Sequence, residues 1–343
     1  MSSTTLLSQI RSASGITVDV DSMDPRVAAR HTTSSEAFSD MTSNQAILYG
    51  EALRPENAEI IRSVVETVKN KEPTVDADKA AMDVIDLLTV RFAKEVFPFL
   101  KGRVHAETSP SAAYDTGKTI EHATKLVALF EANGIPRERV CIKIPTTPES
   151  IVACAELEKQ GIRTLATCLF SVPQAVAASQ ANCLYVAPYF NELRVHFEPT
   201  LWKEYKNTAE EHPMATVIHN IVQVFKKLGS KTLVMPASIV TAAEVIGLAS
   251  LHPDHLTLAG GVVDQLSALP PVPPSSLETP ASLSSTTYDA TVLSTDYLAG
   301  GADALRKALA ADAEATRKLA DALKIFGEKE DLTKELIKKE FGL

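Results

Sequence analysis

Lys143 stands in the run Val140-Cys-Ile-Lys-Ile-Pro145, an apolar stretch whose alternation decides which way its amine points. Successive side chains of a strand face opposite sides. Val140, Ile142 and Ile144 share the side suited to a helix layer, so Lys143 faces the interior. Taking a lysine amine out of water lowers its pKa towards the neutral form, which is the nucleophile that attacks a carbonyl to give a Schiff base. The plainer alternative is a lysine that pairs with a carboxylate or extends its ammonium to the rim. The same parity sets Asp19 and Asp21, His105 and Glu107, Thr167, and Tyr189 at the ends of other apolar runs. Carboxylates beside an amine can exchange protons through a water, as carbinolamine formation and carbon–carbon cleavage both demand. Singly, each is an ordinary rim residue; it is their convergence on one end of a sheet that points to a site. The histidines form neither H-x-H nor H-E-x-x-H, so no metal is expected. Cys141, Cys154, Cys168 and Cys183 offer no C-x-x-C and read as small apolar core residues.

The elements that must carry these groups are short strands alternating with longer helical patterns. Strands are expected over 17–21, 38–42, 103–107, 140–144, 163–169, 184–189, 232–236 and 255–258, most of them rich in Val, Ile and Leu. Helices are expected over 56–69, 78–97, 112–133, 148–160 and 215–228, with stop signals at Asn133-Gly134-Ile135-Pro136, Gly161 and Gly229. Eight strand–helix repeats imply an α/β chain folded as a single (β/α)8 TIM barrel, whose active site lies at the C-terminal ends of the strands. A doubly wound sheet is the alternative, but no G-x-G-x-x-G follows the first strand. Residues 1–343 are read as one domain: a flexible Ser/Thr-rich N-terminus over 1–14, a Pro/Ser-rich mobile loop over 269–288, and C-terminal helices within 301–343, one over 301–325 and one over 331–341. The polar and aromatic insertion 191–213 follows the sixth strand and so belongs to the functional face, with Trp202 and Tyr205 packing a lid.

Composition narrows the partners. Forty-five per cent of the 343 residues are hydrophobic and the formal net charge is −9, with no basic run except a mixed Lys/Glu helix face near the C-terminus, so nucleic acid is not expected. No segment approaches the roughly 20 apolar residues of a membrane span, and no secretory signal or disulfide framework is visible. A cytoplasmic enzyme acting on a small carbonyl compound, with no cofactor, is the expectation; a homodimer is left open.

These residues also carry a family resemblance. The chain resembles the transaldolases through DSMD (21–24), DMTSNQAIL (40–48), GRVHAET (102–108), AAYDT (112–116), RERVCIKIPTT (137–147), AELEKQGI (155–162), TCLFS (167–171), APYF (187–190) and LVMPAS (233–238). The resemblance implies a metal-free class I aldolase. Lys143 would be the Schiff-base lysine, and Asp21 the acid–base group at bond cleavage. Glu107 and Thr167 would hold the water of carbinolamine chemistry, Thr42 and Asn44 would line the sugar side, and Ser238 would lie near a substrate phosphate. The departures matter as much. Leu165 stands where the family usually has asparagine and Ala187 where it has serine. Val240 replaces one phosphate-gripping arginine; the other falls on Glu192, unless a two-residue insertion lets Arg194 take its place. Tyr189 matches the tyrosine of the related fructose-6-phosphate aldolases rather than the phenylalanine of transaldolases. The reading is a transaldolase-like aldolase acting on a less phosphorylated, non-standard substrate. Its rivals are an ordinary transaldolase of the pentose phosphate pathway moving dihydroxyacetone units, and an inactive barrel serving as a binding protein.

Overall fold

The computed structural model describes residues 4–13, 15–33, 36–71, 76–283 and 288–342. Its strands are β1 (Thr17–Asp21), β2 (Met41–Thr42), β3 (Val104–Glu107), β4 (Val140–Pro145), β5 (Thr164–Leu169), β6 (Tyr185–Pro188), β7 (Leu233–Val234) and β8 (His255–Ala259). All pair in parallel in the order β7-β6-β5-β4-β3-β2-β1-β8. The circle closes between β7 and β8, where the Asp254 N–H donates to the Val234 carbonyl at 3.0 Å and the Thr257 N–H to the Pro236 carbonyl at 3.3 Å. With helices between the strands this is the expected (β/α)8 barrel. Every residue of β3, β4, β5 and β6 is buried, as strands covered on both faces must be.

Most helices following the strands begin where the sequence offers a cap. Asn44, Asp115, Thr147 and Thr241 each accept a bond from an N–H of the first turn. The Pro213–Leu228 helix starts on Pro213 and stops on Gly229, whose φ of 62° a glycine adopts without strain.

Three expectations are corrected. The N-terminal segment carries a helix, Leu6–Ala13, which buries Leu6, Leu7 and Ile10 and donates from the Leu6 N–H to the Leu269 carbonyl. Residues 1–3 and 14 of that segment lie outside the described residues. The C-terminal break falls at Asp312, whose carboxylate caps an unbroken helix over Ala313–Phe341, instead of between residues 325 and 331. The described part of the Pro/Ser-rich loop is pinned: Leu277 and Leu283 are buried, the Gln9 side chain makes two bonds to the Val272 backbone, and Thr279 donates to the Ser250 carbonyl. Residues 284–287 lie outside the described residues. Among the described residues no helix is long and apolar enough to cross a membrane.

Inside the barrel runs a polar cluster rather than purely apolar packing. Asp40 accepts from Tyr185 Oη at 2.9 Å and the Arg103 N–H at 2.9 Å, and faces His105 Nε2 at 2.8 Å. A Cβ at position 102 would collide with Asp40 and Ser39, which is why glycine opens GRVHAET. Burial pushes the Asp40 carboxyl up, but His105, the Arg103 amide and Tyr185 outweigh it and hold it well below the usual carboxylate range. Removing one partner of a buried pair strands the other, so Asp40→Ala is expected to destabilise the fold by about 3–5 kcal/mol, read as a lower urea midpoint. Because the folded pKa is depressed, this stabilisation is present above the unfolded value of about 3.9 and is lost as pH falls through the folded one.

Candidate active site

Neighbouring strand ends bring the reactive groups together. β3 and β4 pair in the register Glu107↔Lys143, and Lys143 Nζ lies 3.3 Å from Glu107 Oε2. The ammonium also reaches the Ser43 carbonyl at 3.5 Å. Burial drives the Glu107 carboxyl up to about 7, against the opposing pull of Lys143. Both of its oxygens are buried without a hydrogen bond of good geometry, and beside it lies a chamber of about 20 Å³, also lined by Ser43, Gln45, Asp86 and His122. That volume suits a single water. The expectation of a lowered lysine pKa is corrected. Burial does act to lower Lys143, but the carboxylates of Glu107 and Asp21 outweigh it, so the resting amine keeps its proton.

The remaining groups form two supports. Asp21, at the end of β1, accepts from Thr42 Oγ1 at 2.6 Å, and that hydroxyl lies 2.6 Å from Thr257 Oγ1 on β8. Thr167 Oγ1 donates to Tyr189 Oη at 3.2 Å, just past β6. Tyr189 is buried, and burial raises its phenol, which therefore stays protonated. Lys143 Nζ sits 5.8 Å from the centre of its ring.

A cavity of about 270 Å³ opens on these residues, and Asp21, Asn44, Lys143, Tyr189 and Ser238 line it directly. Thr42, Glu107 and Thr167 touch lining residues from behind. Leu165 and Ala187 are fully buried and do not line the cavity. Arg194 does not line it either: it lies 3.4 Å from Glu192 and 4.0 Å from Asp321 on the C-terminal helix. Glu192 is itself bound by Arg317 at 2.7 Å, so neither it nor Arg194 is part of the wall.

Sequence reasoning missed His196, Phe197 and Leu193 of the insertion, and Ala46, Ile47, Ala237 and Ala259. Ala259 ends β8, where strand parity could have found it; His196 lies in a short 3-10 turn, Leu193–His196, with no periodic signal. The insertion is fastened at Trp202, whose Nε1 donates to Glu244 Oε1 at 2.8 Å. Among the described residues no cluster of three His, Cys, Asp or Glu side chains is placed to hold a metal ion.

A buried lysine flanked by carboxylates at the C-terminal rim of an eight-stranded barrel is the arrangement of an aldolase-type enzyme, and comparison with known proteins agrees. The chain belongs to the Transaldolase/Fructose-6-phosphate aldolase family, whose model matches residues 17–334. It is 34% identical over 228 residues to a transaldolase of Schizosaccharomyces pombe, covering 66% of this chain and 69% of that protein. A transaldolase of Saccharomyces cerevisiae is 35% identical, over 66% of each chain. One from Acidobacterium capsulatum is 30% identical over 267 residues, 78% of this chain and 77% of that one. The match thus spans about two thirds of the length of the two yeast proteins.

Proposed function

We propose that the protein is a cytoplasmic class I aldolase that forms a Schiff base through Lys143 and makes or breaks a carbon–carbon bond in an uncharged, non-standard carbonyl substrate. The observation that carries the chemistry is one cavity holding Asp21 and Lys143, with Glu107 3.3 Å from the amine. Glu107 accepts the ammonium proton, directly or through a water, and the freed amine adds to the ketone carbonyl to give a carbinolamine. Loss of water, protonated by the same carboxylic acid, leaves the iminium. Asp21 then removes the proton of the substrate's β-hydroxyl; the C–C bond breaks, its electrons enter the iminium as an enamine, and the aldehyde departs. Thr42 and Thr257 orient Asp21.

The substrate reading rests on charge. Among the described residues Lys143 is the only cationic lysine or arginine side chain lining the cavity, and Arg194 is engaged by Glu192 and Asp321. Each hydrogen bond from a guanidinium to a phosphate is worth about 1.5–3 kcal/mol, so a site without two such clamps forfeits most phosphate recognition. The second reading, a transaldolase acting on sugar phosphates, is favoured by the names of the relatives. Steady-state kinetics with fructose 6-phosphate and erythrose 4-phosphate, beside neutral ketones and aldehydes, decide between them. Sugar phosphates are expected to turn over negligibly; a kcat/KM near ~10⁴ M⁻¹s⁻¹ or above for them would establish the second reading instead.

Tyr189 bears on whether the donor is released or transferred. With Thr167 it forms a pair of hydroxyls 3.2 Å apart, and the centre of its ring lies 5.8 Å from the amine. The pair is able to hold the water that hydrolyses the product iminium. The enzyme is expected to release free donor ketone without an acceptor aldehyde. Tyr189→Phe should lower that release about tenfold or more while slowing adduct formation less, as measured by single-turnover kinetics. Turnover that strictly requires an acceptor aldehyde would count against the role.

A further inference from the structure

Opposite in character to the charged cluster, one stretch of cavity wall holds a neutral polar pair in apolar surroundings. His196 Nε2 lies 2.8 Å from Ser238 Oγ, and Leu193, Phe197 and Ala237 surround them in the lining. The pair is built at some cost. Ser238 has a φ of 60°, a left-handed conformation that non-glycine residues rarely adopt and that tends to mark functional positions. Its carbonyl accepts from both the Asn191 N–H, at 3.1 Å, and Asn191 Nδ2, at 3.0 Å. Behind it the buried Glu244 carboxylate collects Asn191 Nδ2 at 3.0 Å, Trp202 Nε1 at 2.8 Å and the Val240 N–H at 2.8 Å. Glu244 therefore ties the segment after β6 to the turn after β7, and so fixes His196 against Ser238. His196 sits at the mouth and is exposed to solvent.

We infer that His196 and Ser238 form a subsite for the terminal hydroxyl of an uncharged hydroxy-aldehyde or hydroxy-ketone, and that this subsite sets discrimination against phosphorylated substrates. The inference rests on the Schiff-base reading above. A neutral imidazole and a hydroxyl each offer both a donor and an acceptor, which suits a ligand hydroxyl that also gives and receives. A phosphate dianion only accepts, and desolvating it without a counter-charge is costly. Arg194 is held by Glu192 and Asp321, and Arg317 by Glu192, Glu314 and Asp321. Lys329, whose Nζ lies 4.8 Å from the centre of the Phe197 ring, does not line the cavity, and Asp21 adds negative charge to it.

The test compares kcat/KM for glyceraldehyde and glyceraldehyde 3-phosphate as acceptors, with dihydroxyacetone as donor, in the full chain and in His196→Leu, Ser238→Ala and His196→Arg. The unaltered enzyme is expected to favour glyceraldehyde by more than ~10-fold. His196→Leu and Ser238→Ala should each cut kcat/KM for glyceraldehyde about tenfold, mostly through KM, the scale of one lost hydrogen bond. His196→Arg should shift the ratio of the two acceptors at least ~10-fold towards the phosphate. Native circular dichroism qualifies each variant, and the two side-chain deletions carry the test if the arginine variant does not fold. A borohydride-trapped donor adduct on Lys143 combined with an acceptor ratio that no variant moves overturns the subsite alone. Absence of that adduct in the unaltered enzyme overturns the Schiff-base reading beneath it.

Discussion

Borohydride added with a ketone substrate is expected to fix one covalent adduct, on Lys143, and Lys143→Met to abolish both the adduct and turnover. Among the described residues Lys143 is the only lysine in the cavity wall, and its Nζ is 3.3 Å from the carboxylate that would take its proton. Methionine fills the same space with a flexible apolar chain, so the barrel should hold its shape. The Glu107 carboxyl, left without its counter-charge, answers by binding a proton rather than by unfolding the site. The rate of trapping should rise with pH. The free amine is scarce while Glu107 and Asp21 hold the lysine protonated, and Glu107 becomes able to accept that proton only as pH climbs through about 7. Mass spectrometry of a digest locates the adduct. A label on another lysine, or undiminished activity in Lys143→Met, would sink the mechanism.

Asp21→Ala should slow carbon–carbon cleavage by about 10²–10⁴, the usual worth of a base acting in the transition state, while the adduct on Lys143 still forms. The two steps separate because different groups serve them. Asp21 is bonded to Thr42, 2.6 Å away on β2, whereas Glu107 alone is paired with the amine. Loss of Asp21 also removes one of the two carboxylates that hold the lysine protonated, so trapping in the variant should reach its maximum at lower pH than in the unaltered enzyme. Stopped-flow trapping beside steady-state cleavage reads both effects. Should Asp21→Ala block the adduct and spare cleavage, the roles of Asp21 and Glu107 are reversed.

How legible the site was depended on whether it is built from strands. β1 runs over the expected residues, and Lys143, Asp21 and Tyr189 reach the cavity as alternation requires. Strands shortened where the backbone has other duties: Pro236 has no N–H to give the ladder beyond β7, and ahead of β2 the Asp40 N–H turns to the Asp19 side chain at 2.8 Å. The N-terminal helix escaped notice because Ser and Thr dilute its composition, although Leu6, Leu7 and Ile10 fall on one face. The protonation state of Lys143 was misjudged for a different reason. Alternation says that a side chain is buried, but its charge depends on neighbours from other strands, and Glu107 lies 36 positions away in the chain. His196 and the pairing of Arg194 with Glu192 and Asp321 belong to an irregular segment and a distant helix, where no period exists to read.

The closure between β7 and β8 has a mechanical meaning. Among the described residues it is made by two main-chain bonds and one from the Val234 N–H to Asp254 Oδ2, whereas β1 and β8 pair along five consecutive residues. Such a barrel behaves less like a hoop than like a split ring. Segments with few backbone bonds open at the lowest free energy, so the closure is one of the places where the barrel breathes most easily. The β2–β3 seam, whose register is the single pair Met41↔Val104, is another. Ala237 and Ser238 follow one lip of the closure and Ala259 ends the other, while Lys143 and Glu107 lie on the stiff arc, where β3 and β4 stay in register over four residues. A bulky ligand therefore meets a pliable lip at Ala237 and Ser238, while the four-residue register of β3 and β4 holds the spacing between the amine and its proton acceptor.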